Sequence, residues 1–270
     1  MRRKVNFDNR LSGAVIASAI AVHRELGPGL DESHYQEALS RQLTRSGMVH
    51  EEQAPLPLVY KGVKLDCGYR MDLLIDGRLV VEIKSVEFVH PVHVAQLLTY
   101  LRISGHELGL LINFDVPVLK DGIQRKVWSH DREPLPDDTH GLEHTDFEKP
   151  GLTSELVACA FEVHRTLGPG LLRSAYEECL CYELSRRNLR FERRKSLVVH
   201  HCGADLKAPA ELRLLVEGRV PVECLSVEEL TDLHVTRLLA RMRQQDWPEG
   251  LLFNFNSRLL GKGGIRRVIK

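Results

Sequence analysis

Aromatic side chains are scarce in this chain of 270 residues, only 6% of the total, which argues against a platform that grips single strands by stacking successive bases. An excess of either charge is also missing. Lys+Arg and Asp+Glu number 37 each, so the formal net charge is zero and no global basic field attracts a polyanion. Any nucleic-acid contact must therefore be local. None of the six cysteines forms a C-x-x-C pair, and five lie in the second half, an inventory that reads as reduced and intracellular, with a cytoplasmic location expected. Cys179 and Cys181, two apart on a helical stretch, point in different directions, and His200, His201 and Cys202 lack a second ligand pair at a usual spacing, so both groups read as structural. With 43% hydrophobic and 27% charged residues, neither disorder nor a fibre is indicated.

The apolar run Leu11 to Val22, behind the basic Met1 to Lys4, superficially resembles a secretory leader. An internal repeat answers this. Val22 to Leu43 matches Val163 to Leu184 at 13 of 22 positions, an offset of 141. The same offset places Gly77 on Gly218, Glu82 on Glu223, Ser85-Val86-Glu87 on Ser226-Val227-Glu228 and Asn113-Phe114 on Asn254-Phe255. Only Gly122-Ile123 against Gly264-Ile265 needs a one-residue insertion. The apolar run recurs as Leu152 to Val163, so it is a domain helix, and no membrane partner is expected. The chain divides into a copy at 1–130, a polar linker with three prolines at 131–150, and a copy at 151–270.

Each copy reads as helix, helix, three or four strands, helix, strand. Ser12 caps a helix to about Leu26 that Gly27-Pro28-Gly29 ends, and a second helix follows from Ser33 with Tyr35, Ala38, Leu39 and Leu43 at helical spacing. Strand character begins around Pro57 to Tyr60 and Val63 to Leu65. Tyr69 to Ile75 and Leu79 to Ile83 flank Asp76-Gly77, a strong two-residue hairpin signal. A helix from about Val92 to Ser104 and a buried strand Leu108 to Asn113 complete an α/β unit with a mixed sheet.

Asp72 falls on the first hairpin strand, while Glu82 and Lys84 fall on the second, two apart and so on one face. Two carboxylates on adjacent strands with a lysine one pleat further on can hold a hard divalent cation and place an ammonium against phosphate charge. Alone, this spacing favours a surface Glu-Lys pair on an exposed strand face, since charges on sheet faces are common. The helix that follows carries Gln96 and Tyr100 one turn apart.

Together these residues resemble the PD-(D/E)XK nuclease superfamily. More narrowly, Gly29-x-x-Glu32-x-x-Tyr35 after Leu26-Gly27-Pro28-Gly29 resembles the GxxExxY family within it, over Leu11 to about Trp128. The resemblance implies an αβββαβ core, Asp72 and Glu82 as ligands of Mg²⁺ or Mn²⁺, Lys84 as the catalytic lysine and Glu32 as a further carboxylate near the metal. It also implies that Gln96 and Tyr100 approach a nucleic-acid strand. His23 and Tyr35 match the family too, but read as packing residues.

The second copy departs at nearly every chemical position: Arg173 replaces Glu32, Arg213 replaces Asp72, Leu225 replaces Lys84, Arg237 replaces Gln96 and Arg241 replaces Tyr100, while Glu223 stays. Two arginines in place of carboxylates remove the negative charge that offsets desolvating a cation. This copy reads as degenerate, its four arginines either a phosphate-binding surface or ion-pair partners of Glu223, Glu177 and neighbours. The leading expectation is a metal-dependent nuclease acting on nucleic acid, DNA before RNA, with the first copy catalytic. The alternative is a non-catalytic scaffold that binds nucleic acid, a protein partner or a second copy of the chain.

Overall fold

The computed structural model describes residues 9–129, 151–202, 204–206 and 210–270. The chain forms two compact units, 1–132 and 133–270. The expected linker at 131–150 and the basic Met1 to Lys4 lie outside the described residues.

In the first unit, α1 (Asn9–Leu26) buries Leu11, Val15, Ala19 and Val22, a three-to-four spacing that makes one apolar stripe. Ser12 does not start this helix as expected. It lies inside it, buried, with its hydroxyl donating back to the Asn9 carbonyl at 3.5 Å. Gly27 and Gly29 end the helix at φ +69° and +96°, conformations costly to any residue with a Cβ. Helix α2 (Glu32–Arg45) buries Tyr35, Leu39 and Leu43.

Five strands form the main sheet: β1 (His50–Pro55), β4 (Arg70–Ile75), β5 (Leu79–Lys84), β6 (Leu108–Asn113) and β7 (Ile123–Val127), in that spatial order. All neighbours are antiparallel except β5 and β6. Asp76 and Gly77, at φ +50° and +61°, make the tight turn between β4 and β5 that the sequence predicts. Strands expected at Pro57 to Tyr60 and Val63 to Leu65 do form, as β2 (Leu58–Tyr60) and β3 (Val63–Leu65), but they pair only with each other, apart from the main sheet. The edge position belongs to β1, which sequence reading passed over. Its residues HEEQAP bury only Ala54, so no alternation of apolar and polar residues marks it.

The sheet is covered on both faces. Helices α1 and α2 pack over Leu73, Ile75, Leu79, Val81, Ile83, Leu110 and Ile112, and β5 and β6, buried throughout, form the centre. On the other face lies α3 (Pro91–Ser104). It packs so close to β6 that a Cβ on Gly109 would lie 2.8 Å from Leu97 Cδ1.

The second unit repeats the plan. Helices α4 (Leu152–Leu167) and α5 (Arg173–Arg186) precede β8 (Phe191–Leu197), β9 (His200–His201), β10 (Ala204–Asp205), β11 (Ala210–Val216) and β12 (Val220–Leu225). Then come α6 (Asp232–Gln245), β13 (Glu249–Asn254) and β14 (Ile265–Ile269). The main sheet runs β8-β11-β12-β13-β14, again with one parallel pair, β12 and β13. The chain is thus α/β, two mixed five-stranded sheets flanked by helices. Among the described residues, no helix is long and apolar enough to cross a membrane.

Matching side chains fix matching turns. Tyr35 Oη donates to Gly27 O at 2.6 Å and accepts from Leu30 N at 3.1 Å; Tyr176 Oη does the same with Gly168 O and Leu171 N, at 2.7 and 3.0 Å. Each tyrosine stacks on a phenylalanine, Phe114 or Phe255, at 4.4 and 4.6 Å between ring centres. His23 Nε2 donates to Val116 O at 2.9 Å and His164 Nε2 to Ser257 O at 2.7 Å. Asn113 and Asn254 each bridge both backbone groups of Val86 or Val227. These residues are architectural.

Candidate active site

Strands β4 and β5 pair from the turn up to Leu73 and Val81, where the backbone pairing of the hairpin ends. Just beyond, the Asp72 carboxylate takes over, its Oδ2 accepting the Ile83 N–H at 2.8 Å. Asp72 and Glu82 therefore face each other across the two strands on the side that α3 covers. Lys84 follows one pleat later on the same side.

Glu82 is 1% exposed and Lys84 7%. Glu82 Oε1 accepts from Lys84 Nζ at 2.7 Å and from Gln96 Nε2 at 2.5 Å. Glu82 Oε2 is buried with no hydrogen-bond partner. Burial, then the like charge of Asp72, pushes the Glu82 carboxyl up to about 8, against the opposing pull of Lys84. Burial also raises the Asp72 carboxyl, though its bonds from Ile83 and Gln53 and the charge of Lys84 resist. For Lys84, burial acts downward, but the charge and hydrogen bond of Glu82, with Glu32 and Asp72 beyond, outweigh it and hold the ammonium above the ordinary lysine value.

Glu32, the first residue of α2, stands at the end of β5. Its Oε2 lies 3.7 Å from Lys84 Nζ, and its Oε1 accepts from Ser85 N at 3.4 Å. About half of its side chain is exposed, so it sits at the rim of the site. Gln96 and Tyr100, expected to approach a strand, have partners within the first unit. Gln96 turns inward to Glu82 and also donates to Tyr100 Oη at 3.1 Å, while Tyr100 is buried beside Tyr69, with 5.5 Å between ring centres. One turn of helix apart, Gln96 bonds the buried carboxylate and links Tyr100 to it.

Sequence reasoning missed two neighbours. Gln53 on β1, at φ +48°, donates from Nε2 to Asp72 Oδ1 at 3.1 Å and to Gln36 Oε1 at 2.8 Å. Its signal was faint, an amide in a polar edge strand; its counterpart Arg194 shares the unusual conformation at φ +49°. His93 on α3 feels Lys84 and Glu32, and burial followed by the Lys84 charge lowers its imidazole below the usual value. Its Nδ1 accepts the His90 N–H at 3.3 Å, and His234 makes the same cap with Thr231 at 3.0 Å. That recurrence at offset 141 was visible in the sequence.

Among the described residues, no three His, Cys, Asp or Glu side chains are gathered as a metal-holding group. The chemistry of the donors nevertheless fits a divalent cation. Three carboxylates, Glu32, Asp72 and Glu82, face one ammonium, and a buried carboxylate oxygen is left without a partner beside a second carboxylate. A charge of plus two would relieve both the repulsion and the orphaned oxygen. Asp72 and Glu82 carry this fit, and Glu32 stays at the edge.

At the same place in the second unit the charges are inverted. Glu223 is still buried, but Arg241 Nη1 donates to its Oε1 at 2.7 Å, and Leu225 stands where the lysine stood. Arg173 Nε lies 3.3 Å and Arg213 Nη1 3.7 Å from opposite oxygens of Glu177, the counterpart of Gln36. Burial raises both the Glu223 and Glu177 carboxyls, and the arginines pull them back down. Arg237 is exposed, and among the described residues no carboxylate pairs with it.

Compared with known families, the chain matches the model of the PD-(D/E)XK nuclease superfamily twice, over residues 9–126 and 150–268. No curated protein and no solved structure gives a significant match.

Proposed function

Because the chain belongs to the PD-(D/E)XK nuclease superfamily, whose nucleases act on nucleic acid and generally use divalent metals, we propose that its first unit is a metal-dependent nuclease of the GxxExxY type, cleaving phosphodiester bonds in DNA. The observation that carries this reading is the buried Glu82 carboxylate, with one oxygen held by Lys84 and Gln96 and the other unpartnered beside Asp72. An orphaned buried acceptor costs about 1–3 kcal/mol. Glu177 Oε1 in the second unit also lacks a hydrogen bond but has the Arg173 guanidinium at 3.3 Å, whereas Glu82 Oε2 is orphaned beside a second carboxylate, where a cation would relieve it.

In this reading Asp72 and Glu82 hold Mg²⁺ or Mn²⁺, and Glu32 is the third carboxylate at the rim. The ion supplies Lewis acidity toward water and phosphate when bound. Lys84, kept protonated by Glu82, serves as a fixed positive charge toward the phosphate and not as a base. Glu32, partly exposed and within reach of Lys84, orients water at the mouth of the site. Gln53 and Gln96 lock Asp72 and Glu82 in place. The second unit, which has arginines where the first has carboxylates, does not catalyse. It is a pseudo-nuclease module that contacts substrate.

The test is cleavage of single-stranded, double-stranded and branched DNA and of RNA, with Mg²⁺ or Mn²⁺, by the full chain and by Asp72→Ala, Glu82→Ala and Lys84→Ala variants shown to be folded. Loss of transition-state charge stabilisation costs on the order of 100-fold or more in rate. Unchanged cleavage in these variants would remove the site from the chemistry. Metal binding without cleavage of any substrate would leave a scaffold.

A further inference from the structure

The second unit contains a cleft of about 360 Å³ where the first unit has its carboxylates, and Arg173, Arg213, Arg237 and Arg241 all line it. That volume falls in the range of about 300–1,000 Å³ typical of small-ligand clefts. We propose that this cleft is a phosphate-binding site, and that its ligand is a phosphate group of a nucleic-acid strand. The strand assignment rests on the nuclease reading above; the phosphate chemistry does not.

The argument begins with a comparison of charge at matched positions. In the first unit, the carboxylates of Glu32, Asp72 and Glu82 stand against Lys84 and against Arg70, which holds the position matched by Glu211. In the second, four arginines face Glu223 and Glu211 at the cleft and Glu177 behind it, so the balance has changed sign on one scaffold. Arg241 is the arginine that hydrogen-bonds Glu223, at 2.7 Å, while Arg213 and Arg173 act on it only through charge and Arg237 is not among its partners. Arg173 and Arg213 share Glu177 through one nitrogen each, at 3.3 and 3.7 Å, which leaves most of their five N–H groups for another acceptor.

Arg237 is the decisive member. It lies four residues before Arg241 on the same face of α6, lines the cleft and is exposed, and among the described residues it has no carboxylate partner. A structural ion-pair network gives no reason for this fourth cation. A planar guanidinium fork matches phosphate oxygens in two parallel hydrogen bonds, and several forks around one cavity supply the donors for three such oxygens. His234, also at the wall, adds a further nitrogen.

The experiment uses the full chain in EDTA, so that its outcome is separate from any failure of cleavage. Anisotropy of a short fluorescein-labelled single strand, as DNA and as RNA, reads strand binding. Calorimetry with orthophosphate alone reads the cleft without a strand. Arg237→Glu, at an exposed position, should weaken strand binding about tenfold and reduce the salt slope by about one, while Arg237→Lys keeps most of the affinity. Orthophosphate should displace the strand from the wild-type chain better than chloride at equal ionic strength. Arg237-dependent binding of orthophosphate without strand binding would keep the phosphate site and reassign its ligand to a free phosphate compound. Strand binding within about twofold of wild type in Arg237→Glu, together with no orthophosphate heat in the wild-type chain, would overturn the proposal.

Discussion

Gln96 Nε2 donates across 2.5 Å to Oε1 of Glu82, joining the helix over the sheet to the central strand. Lys84 occupies the same oxygen, so the two donors fix the carboxylate plane and leave Oε2 as the oxygen of this carboxylate without a hydrogen-bond partner. This makes Gln96 a positioning residue. Removing it in Gln96→Ala withdraws a hydrogen bond to a charged group, about 1.5–3 kcal/mol, or roughly tenfold to a hundredfold. The loss should fall on divalent-ion affinity and cleavage rate, with the pH at which metal binds shifted upward. Strand binding in EDTA should stay near wild type. Weakened strand binding with an unchanged metal profile would instead return Gln96 to the strand-contacting role that the family resemblance implies.

The raised carboxyl of Glu82 sets a pH dependence whose sign can be worked out. Folding lifts this group from its ordinary value near 4.5 to about 8, so the metal-free fold prefers the protonated form. The stability gained is fully present below about pH 4.5 and is lost as pH rises through about 8. A bound cation must displace that proton. Its affinity should therefore climb by up to about tenfold per pH unit through neutrality and level off above about pH 8. Calorimetric Mn²⁺ titrations across that window would show the rise, and Glu82→Gln should abolish it. A flat profile in the wild-type chain would mean that Glu82 is not a ligand.

Tyr35 and Tyr176 offer a test of the scaffold apart from the chemistry. Each hydroxyl closes the turn after the first helix of its unit by giving one hydrogen bond and taking another. Tyr35→Phe and Tyr176→Phe keep the ring stacked but strand a carbonyl and an N–H, at a cost of about 1–3 kcal/mol each. Both variants should melt earlier in calorimetry, by similar amounts. A large loss in one and none in the other would show that the two turns do different work despite matching contacts.

Much of this was written in the sequence, for identifiable physical reasons. The Asp76-Gly77 turn, the buried β6 and the helix after β5 follow from turn chemistry and continuous apolar runs, signals that act locally. Register then carries Asp72 to Glu82, so two pleated strands and a two-residue turn were enough to pair them. The edge strand β1 was illegible because its pairing lies in backbone groups and its side chains are polar. With β1 unseen, so was Gln53, which reaches Asp72 only through a left-handed residue in that strand. The inward turn of Gln96 was likewise hidden, since helical spacing tells which face a residue occupies and not which buried charge will draw it.

If the two units differ only in site chemistry, the second can be converted. Arg173→Glu, Arg213→Asp, Leu225→Lys, Arg237→Gln and Arg241→Tyr reproduce the first unit's set on matching positions of α5, β11, β12 and α6. Two further changes are required by the contacts. Glu177 would lose both arginines and be left as a largely buried charge without them, so Glu177→Gln must accompany them, as Gln36 stands at that place in the first unit. Arg194→Gln completes the match, because Gln53 bonds Asp72 from the same backbone conformation. In a chain whose first site is disabled by Asp72→Ala and Glu82→Ala, this converted unit should bind Mn²⁺ within about tenfold of the wild-type first site, and its phosphate binding in EDTA should fall away. Calorimetry on the folded protein decides the matter. A converted unit that melts normally yet takes up no Mn²⁺ would show that the matching sheet and turn contacts do not suffice to build the site, and that some difference between the units beyond these seven positions governs it.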